Sequence, residues 1–419
     1  MLRNYVLMAV AMLRRKKFLT FVNVFATTLT LTVLIVVAAF VTAKLYPRGA
    51  ERDSDHFLVV DNVCLQGGTE GNSSTWNSGP GYVFFRDYIQ PLETTDKVSF
   101  ASQPSKAVSY VGGRKVRSQI RRTDGVYWEI LAFEFVEGRP LTTEDHDSGR
   151  FVAVINRTAR DELLGEGSAL GRSITANGQS FRVVGVVENE PASNEVAFAD
   201  VWVPLTTAPS SGYRQRWLDS SVALLWTADP SRRGAIKREY HDRLAAFEYE
   251  DPEEFHTARS VAETRLENMA IEANDDWCTS ESHIGRFAGL AVGLMLAFML
   301  LPAINMINLN VSRILERAPE IGLRKAAGAT RRSLVAQFIL ENLVLTTFGG
   351  LLAFLLAPWV LSILNDSVIE YGRLALDWRV GFAGLFFVTV FAVLSGAYPA
   401  WRMARLEPVQ ALRGGVRNA

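Results

Sequence analysis

Residues 14–43 read RRKKFLTFVNVFATTLTLTVLIVVAAFVTA, in which four basic residues precede 26 residues without a charge. A helix of that length exceeds the roughly 30 Å hydrocarbon core of a bilayer, since each residue adds about 1.5 Å. The alternative is a cleaved signal peptide with Val41-Thr42-Ala43 as its cleavage site. Apolar regions of signal peptides, however, run only about 7–15 residues. The stretch therefore predicts a retained membrane helix over residues 18–43.

Three further apolar segments lie near the C-terminal end, over residues 287–310, 334–364 and 380–401. Each is long enough to cross a bilayer, and none has the broad polar face of an amphipathic surface helix. The sequence therefore predicts an α-helical membrane protein with four transmembrane helices. A mixed α/β domain over residues 44–286 is inserted between the first and the second helix.

Basic residues border these segments unequally. Residues 1–17, which we expect to form a helix, together with 311–333 and 402–419 hold 15 basic and 3 acidic residues, although the whole chain has 44 of each. Basic residues accumulate on the cytosolic side of membrane helices. We therefore expect both termini in the cytosol of a bacterium, 365–379 as a short outer loop, and 44–286 outside the cytoplasmic membrane. The neutral total gives no reason to expect a nucleic-acid partner.

The inserted domain divides by pattern into a strand-rich part over 44–228 and a helical part over 229–282. Its clearest local signal is Asn177-Gly178 between two β-rich runs, which predicts a hairpin with a two-residue turn. The remaining expectations are a flexible loop over Gly67–Gly81, because that run is rich in Gly, Ser and Asn, and helices over 231–247 and 253–273.

Cys64 and Cys278 are the two cysteines of the chain. They are too few for a disulfide scaffold or a structural zinc site, and the five histidines show no metal-ligand spacing. We therefore expect no metal and no cofactor bound by this chain. In an oxidising compartment the two cysteines would form a disulfide that ties the start of the domain to its end. The alternative is two unrelated buried thiols, and spacing does not decide between them.

Residues 316–329, between the second and third apolar segments, read ERAPEIGLRKAAGA. Pro319 suits the first turn of a helix, and Glu320 suits the positive helix start. These residues fit a short helix at the membrane surface that offers a mixed face to a cytosolic partner. A basic loop that only sets the topology is the alternative.

The same stretch resembles the Glu-Arg-x-x-Glu-Ile-Gly-x-Arg-Lys-Ala-x-Gly-Ala signature of the MacB/FtsX-like family of ABC transporter permeases. The likeness continues through Gly349-Gly350 and through Val183-Val-Gly185-Val-Val in the inserted domain, and it covers nearly the whole chain. Ala318 and Pro319 depart from the family, which more often has polar residues there. The family's order of one span, a domain and three spans agrees with the predicted topology.

The resemblance implies a permease that couples ATP hydrolysis by a separate ATPase to movement of the outer domain. Efflux of antimicrobial peptides or macrolide-like compounds, or lipoprotein handling, is the expected role. The alternative is an FtsX-like signalling permease that activates a cell-wall hydrolase outside. The chain has no GxxxxGK[ST] stretch, so ATP and Mg²⁺ are expected on the partner and the chain itself is not expected to be an enzyme.

The expected partners are two ATPase subunits, a second permease in a homodimer or heterodimer, a periplasmic adaptor as a further candidate, and the lipid bilayer.

Small residues four apart let membrane helices approach closely, so Gly285, Gly289 and Gly293 are expected to pack against a neighbouring span or a second permease. Such spacing is also common without a role. Gly349 and Gly350 are expected at a further helix contact. The residues expected to contact the ATPase are Glu316, Arg317, Glu320, Ile321, Gly322, Leu323, Arg324, Lys325, Gly328 and Ala329.

Overall fold

The computed structural model describes residues 17–69, 72–249, 254–275, 277–278, 283–316, 323, 328, 330–367, 371, 374, 378–379, 381–387, 389–390 and 393. The chain divides into two compact units. One, the helical unit, comprises Met1–Val41, Gly289–Ser367 and Leu374–Ala419. The other, the α/β domain, comprises Thr42–Ala288 and Val368–Arg373.

The described helices are α1 Lys17–Leu45, α2 Tyr82–Phe84, α3 Tyr127–Ile130, α4 Thr143–Asp147, α5 Arg157–Leu164, α6 Arg233–Ala245, α7 Arg265–Asn274, α8 Ile284–Glu316 and α9 Arg331–Ser367. The described strands are β1 Phe57–Val60, β2 Val63–Thr69, β3 Asn72–Ser78, β4 Lys97–Ser102, β5 Ser105–Val111, β6 Arg114–Thr123, β7 Phe135–Gly138, β8 Val152–Asn156, β9 Ser173–Ala176, β10 Gln179–Val187, β11 Val201–Pro204, β12 Ser221–Trp226 and β13 Thr257–Ser260.

The α/β domain is built on a ten-stranded mixed sheet with the order β1-β12-β4-β6-β11-β8-β10-β7, to which β5 and β9 add beside β6 and β10. The pairs β10–β8 and β11–β6 are parallel, and the other pairs are antiparallel. Every residue of β8 is buried. Val154 packs into one apolar cluster with Trp202, and Ile155 packs into another with Phe181. Since neighbouring residues of a strand point to opposite faces, both faces of this sheet are covered.

The hairpin predicted around Asn177-Gly178 is confirmed. Strands β9 and β10 pair across it, and both turn residues have positive φ, at 49° for Asn177 and 81° for Gly178. A two-residue turn with this backbone matches the twist of the strands it joins, which is why the Asn-Gly pair is so informative.

The flexible loop predicted over Gly67–Gly81 is wrong, because most of this run forms a hairpin. Strands β2 and β3 pair from Val63↔Ser78 to Thr69↔Asn72, and β13 adds on the other side of β2. The glycines serve close packing rather than flexibility: a Cβ at Gly67 would overlap the backbone of Glu254 and Phe255. Strand β3 is an exposed edge, so its polar composition carries no alternating pattern.

The helix predicted over 231–247 is confirmed as α6, whereas the helix predicted over 253–273 is wrong in its first half. Residues Thr257–Ser260 form β13 instead, and α7 starts only at Arg265. Thr264 sets this start through a capping box, in which its side chain accepts from the Glu267 amide and the Glu267 carboxylate accepts from the Thr264 amide. Pairing with β2 therefore decides the conformation of 257–260.

In the helical unit, the described residues include two helical stretches long and apolar enough to cross a membrane, Thr20–Leu45 and Val335–Asn365. A shorter apolar stretch, Ile284–Phe298, begins α8 where the second span is predicted. The fourth predicted span, 380–401, lies mostly outside the described residues. The N-terminal apolar helix, the large α/β domain and the apolar C-terminal helices agree with the predicted fold class, while the count of four spans stays a prediction.

Candidate functional site

The α/β domain contains a set of charged side chains around the end of α1, formed by Lys44, Glu51, Glu190, Glu195 and Arg265 and called here the entry cluster. Lys44 lies in the last turn of α1, where its Nζ is 3.2 Å from Glu195 Oε1 and forms a second ion pair with Glu272. The last turn of α1 is thus bonded to two separate elements of the domain, the loop that carries Glu195 and α7.

The centre of the entry cluster is a buried ion pair between Glu51 and Arg265. Glu51 is 0% exposed and also accepts hydrogen bonds from the amides of Val196 and Ala197, at 2.9 and 2.7 Å. Arg265 donates through Nη1 to the Lys44 carbonyl at 3.0 Å, and burial lowers the pKa of its guanidinium to about 10. At neutral pH it therefore stays charged, and the pair joins α7 to the segment that follows α1.

Residues 194–198, called here the 194–198 loop, are held on both their amide and their carbonyl sides. While Glu51 accepts from two amides of the loop, the fully buried Arg121 donates to two of its carbonyl oxygens, at 2.6 and 3.2 Å. The Tyr127 hydroxyl and the Trp202 indole N–H donate to further carbonyls of the loop, at 2.8 and 3.2 Å. Buried backbone groups must find partners, and here side chains supply them. The loop is consequently fixed to the core of the large sheet.

Glu190 fixes the segment between α1 and the first strand. Its carboxylate accepts from the Ala50 amide at 3.0 Å and from Asn194 Nδ2 at 2.9 Å, and Asn194 Nδ2 also donates to the Arg48 carbonyl at 2.6 Å. Gly49 has φ +74°, and a Cβ there would collide with the Glu190 carboxylate. Burial raises the pKa of Glu190 from 4.5 to about 7, so its charge changes near neutral pH.

The other end of the domain is held covalently. The structure bonds Cys64 in β2 to Cys278, with their Cα atoms 5.3 Å apart. Of the two alternatives that spacing leaves open, the disulfide is the one present in the structure. Asn62 Nδ2 also donates to the Trp277 carbonyl, next to this bond. The disulfide and these neighbours are called here the exit clamp, since α8 begins shortly after them at Ile284.

Helix α7 contacts the entry cluster and the turn that leads into the strand of the exit clamp. Its Glu272 pairs with Lys44 in the entry cluster, and its Asn268 Nδ2 donates to Asp61 Oδ2 at 2.9 Å, in the turn between β1 and β2. The strand β2 that follows this turn carries Cys64 of the exit clamp. One short helix therefore lies between the incoming and the outgoing segment of the domain.

Most residues expected to contact the ATPase are not covered by the structure. Glu316 is the last residue of α8, Leu323 is 66% exposed, and Gly328 has φ +91°. The expected contact residues outside the described part are Arg317, Glu320, Ile321, Gly322, Arg324, Lys325 and Ala329. Their role stays a prediction.

The glycines expected at helix contacts divide into two groups. No described atom lies within 4 Å of a Cβ built at Gly285, Gly289 or Gly293, so their predicted packing stays a prediction. At Gly349, a built Cβ would meet the Thr27 side chain at 3.0 Å, and at Gly350 it would meet Leu385. The Thr28 hydroxyl donates to the Gly349 carbonyl at 3.1 Å. Within the helical unit, α9 thus packs closely on α1 at this glycine pair.

The sequence reasoning missed the entry cluster completely. Glu51 and Arg265, and likewise Lys44 and Glu272, are more than 200 positions apart, so no local pattern joins them. One usable signal was the placement of Lys44 in the last turn of a long apolar helix and of Glu51 shortly after it, where isolated charges need partners. A second was the Thr264-x-x-Glu267 capping pattern, which places the start of α7 and with it Arg265.

Two family profiles match the chain. The MacB-like periplasmic core domain matches residues 20–241, just over half of the chain, and the FtsX-like permease C-terminal domain matches residues 292–408. The first covers most of the inserted domain and the second covers the C-terminal apolar segments, in the order that the sequence predicts.

Individual relatives agree with these profiles. The macrolide export ATP-binding/permease protein MacB of Wolinella succinogenes is 27% identical over 404 residues, which cover 93% of this chain and 58% of that protein. The ABC transporter permease YvrN of Bacillus subtilis is 28% identical over 296 residues, 70% of each chain. A solved structure of the extracellular domain of the ABC-type transporter YknZ covers 45% of this chain at 16% identity, with a TM-score of 0.34. The chain thus spans little more than half the length of the MacB relative.

Proposed function

Because the chain belongs to the MacB/FtsX-like family of ABC transporter permeases, we propose that it is the membrane subunit of a MacB-type transporter that moves its α/β domain when a separate ATPase hydrolyses ATP. The substrates we propose are antimicrobial peptides, macrolide-like compounds or lipoproteins, handled outside the cytosol. In this proposal four helices span the bacterial cytoplasmic membrane and both termini are cytosolic. A second permease completes the membrane part, and ATP with Mg²⁺ is bound by two ATPase subunits.

The observation that carries the proposal is the entry cluster. In the last turn of α1, the Lys44 side chain pairs with Glu195 of the 194–198 loop and with Glu272 of α7, and the Lys44 carbonyl accepts from Arg265 of α7. Glu51, in the segment after α1, also contacts both the 194–198 loop and α7. Burial weakens solvent screening of the Glu51–Arg265 pair, and removing one of these two partners is costly because it leaves the other charge unpaired. A displacement of that turn is therefore passed on to the large sheet and to α7 rather than absorbed by a loose linker.

A copurification experiment tests the partner part of this proposal. The tagged chain is purified in mild detergent from its native host, beside a Glu320→Lys/Gly322→Trp variant of the proposed contact segment. We expect an ATP-hydrolysing P-loop protein with the wild type and at least a tenfold smaller amount with the variant, since charge and shape at the contact are both changed.

The matched control carries the same two kinds of change on exposed residues of the α/β domain, Glu162→Lys and Gly234→Trp. It should recover the ATPase as the wild type does. If intact wild-type chain brings down no ATPase, or the contact variant brings down as much as the control, the coupling role of 316–329 is wrong.

The transport part is tested in inverted membrane vesicles that hold the copurified complex. We expect ATP-dependent accumulation of a fluorescent cationic peptide or macrolide, absent when the ATPase carries a catalytic-site substitution. ATP-dependent recruitment of a cell-wall hydrolase without any accumulation would instead identify the signalling role typical of FtsX-like permeases.

A further inference from the structure

A cavity of about 320 Å³ lies in the α/β domain beside the entry cluster. It is bounded by β1 and the turn after it, by the segment between β4 and β5, by the 194–198 loop, by β12 and by the start of α7. This volume is at the lower end of the range of roughly 300–1,000 Å³ typical of small-molecule sites. Nothing in the proposed function uses it.

The positive charges of the cavity wall are already paired. Lys44 forms ion pairs with Glu195 and Glu272, and Arg265 forms one with Glu51. These lining cations are therefore neutralised by carboxylates and leave no net positive charge in the cavity.

The carboxylates of Asp61 and Glu263 are different. Asp61 accepts one hydrogen bond from Asn268, but its Oδ1 is buried and accepts none from the part of the chain that the structure describes. Glu263 lines the cavity, is only 4% exposed, and its Oε2 likewise accepts no hydrogen bond from the described residues. Buried polar atoms normally have partners, so two unpartnered carboxylate oxygens at one cavity call for a donor.

Apolar side chains make up much of the rest of the wall, beside the polar Gln103 and Thr264. Val59, Val222, Phe198 and Met269 line the cavity together with Pro104. Such a wall does not suit a strongly hydrated metal ion, and no group of three or more His, Cys, Asp or Glu side chains among the described residues is placed to hold one. An organic cation combines a charged end for the carboxylates with an apolar body for this wall.

We propose that this cavity binds a small primary-ammonium compound, whose –NH₃⁺ group donates to Asp61 Oδ1 and Glu263 Oε2 while its apolar body packs against Val59 and Met269. Hydrogen bonds between an ammonium and a carboxylate are the strong, charge-assisted kind, and the apolar wall adds burial. The inference goes beyond the proposed function, because it requires neither an ATPase nor transport.

Binding of a cation to these groups is coupled to proton release. Burial and the Asp61 charge raise the pKa of Glu263, and burial and the Glu195 charge raise that of Asp61. A cation between them favours the ionised forms, so affinity should rise with pH. The other groups that face this pair from the surrounding elements are Glu195, Lys44, Lys237, Asn268, Glu267, Glu272 and the Glu51–Arg265 pair.

The test is isothermal titration calorimetry of 2-phenylethylammonium with the full chain in lipid nanodiscs. We expect saturable binding that is at least tenfold tighter at pH 8.5 than at pH 5.5, with proton release visible as a dependence on the ionisation heat of the buffer. The neutral 2-phenylethanol, which has the same apolar body, should compete at least tenfold more weakly.

Glu263→Gln and Asp61→Asn should each weaken binding of the probe at least tenfold, while Glu162→Gln, an exposed carboxylate elsewhere in the domain, should leave it unchanged. The proposal is overturned if Glu263→Gln and Asp61→Asn bind 2-phenylethylammonium as tightly as Glu162→Gln does. It is also overturned if 2-phenylethanol competes as well as an ammonium compound, or if the wild type shows no saturable binding. The pH and alcohol comparisons use the wild type alone, so the test remains decisive even if a variant fails to fold.

Discussion

The entry cluster and the exit clamp hold the two ends of the same domain by different chemistry. At the entry, five charged side chains and a buried loop hold the segment after α1 by noncovalent contacts. At the exit, one covalent bond between Cys64 and Cys278 joins β2 to the segment before α8. The contacts at the entry should therefore depend on pH, whereas the disulfide at the exit should depend on reductant. The α1 end is thus held by titratable side chains and the α8 end by a covalent bond.

The largest effect should come from removing one charge of the buried pair. Arg265→Met leaves Glu51 buried and ionised, which should lower the free energy of unfolding of the domain by about 3–5 kcal/mol. Intrinsic tryptophan fluorescence during chemical unfolding in detergent measures it.

The control is Arg233→Met, because Arg233 pairs with the largely exposed Asp55 at 3.8 Å and should matter little. A double Glu51→Leu/Arg265→Met chain should recover part of the loss. Equal stability of the two single variants would show that the entry cluster is not the stronger polar anchor.

Opening the exit clamp should have the next largest effect. Cys64→Ser/Cys278→Ser should lower the free energy of unfolding by about 2–4 kcal/mol, because the bond closes a long loop in the unfolded chain. Because the domain is continued at both ends by the long apolar helices α1 and α8, which already restrain the unfolded chain, we expect the lower half of that range. Reduction of the wild type should reproduce the change, and a wild type insensitive to reductant would contradict it.

The pH dependence separates the two anchors. The folded-state pKa of Glu190 is about 7 and its ordinary value is 4.5, so the folded domain binds this proton more tightly than the unfolded chain. As far as this group contributes, stability should therefore be highest below pH 4.5, fall as the pH rises to about 7, and stay level once the carboxyl is ionised in the folded domain too. Subtracting the free energy of unfolding of Glu190→Gln from that of the wild type at each pH gives the contribution of Glu190. The contribution of the disulfide should not change over this range.

The smallest effect is expected at Lys44. The side chains of Glu195 and Glu272, with which it forms ion pairs, are about half exposed. Lys44→Met should therefore lower the free energy of unfolding by only about 0.5–1 kcal/mol. High salt should weaken the wild type by a similar amount and leave the variant unchanged. A loss as large as that of Arg265→Met would place the centre of the entry cluster at Lys44 instead.

The sequence was most informative where a local pattern settles the structure. The uncharged run over 18–43 predicts α1 because length alone decides whether a segment spans a bilayer. Asn177-Gly178 predicts the β9–β10 hairpin because few residue pairs accept two positive φ angles in succession. In both cases the determining interactions lie within the segment itself.

The sequence was least informative where contacts between residues far apart in the chain determine the local structure. The β2–β3 hairpin and β13 form one sheet whose members are about 190 residues apart, and its glycines resemble those of a loop. The entry cluster joins Glu51, Glu190 and Arg265, and no sequence pattern around any of them predicts which residue it contacts. Only a fold brings such groups together, so neither the sheet nor the cluster can be read from one region of the chain.

The pairing of β13 with β2 brings the first and the last parts of the domain into neighbouring strands. A folded body whose two ends lie side by side can be inserted into a loop of another protein without stretching it. The α/β domain can therefore be inserted or replaced as one folded unit. A related permease could exchange it as a unit, with junctions before Thr42 and after Ala288, so that Lys44 stays with its partners in the entry cluster.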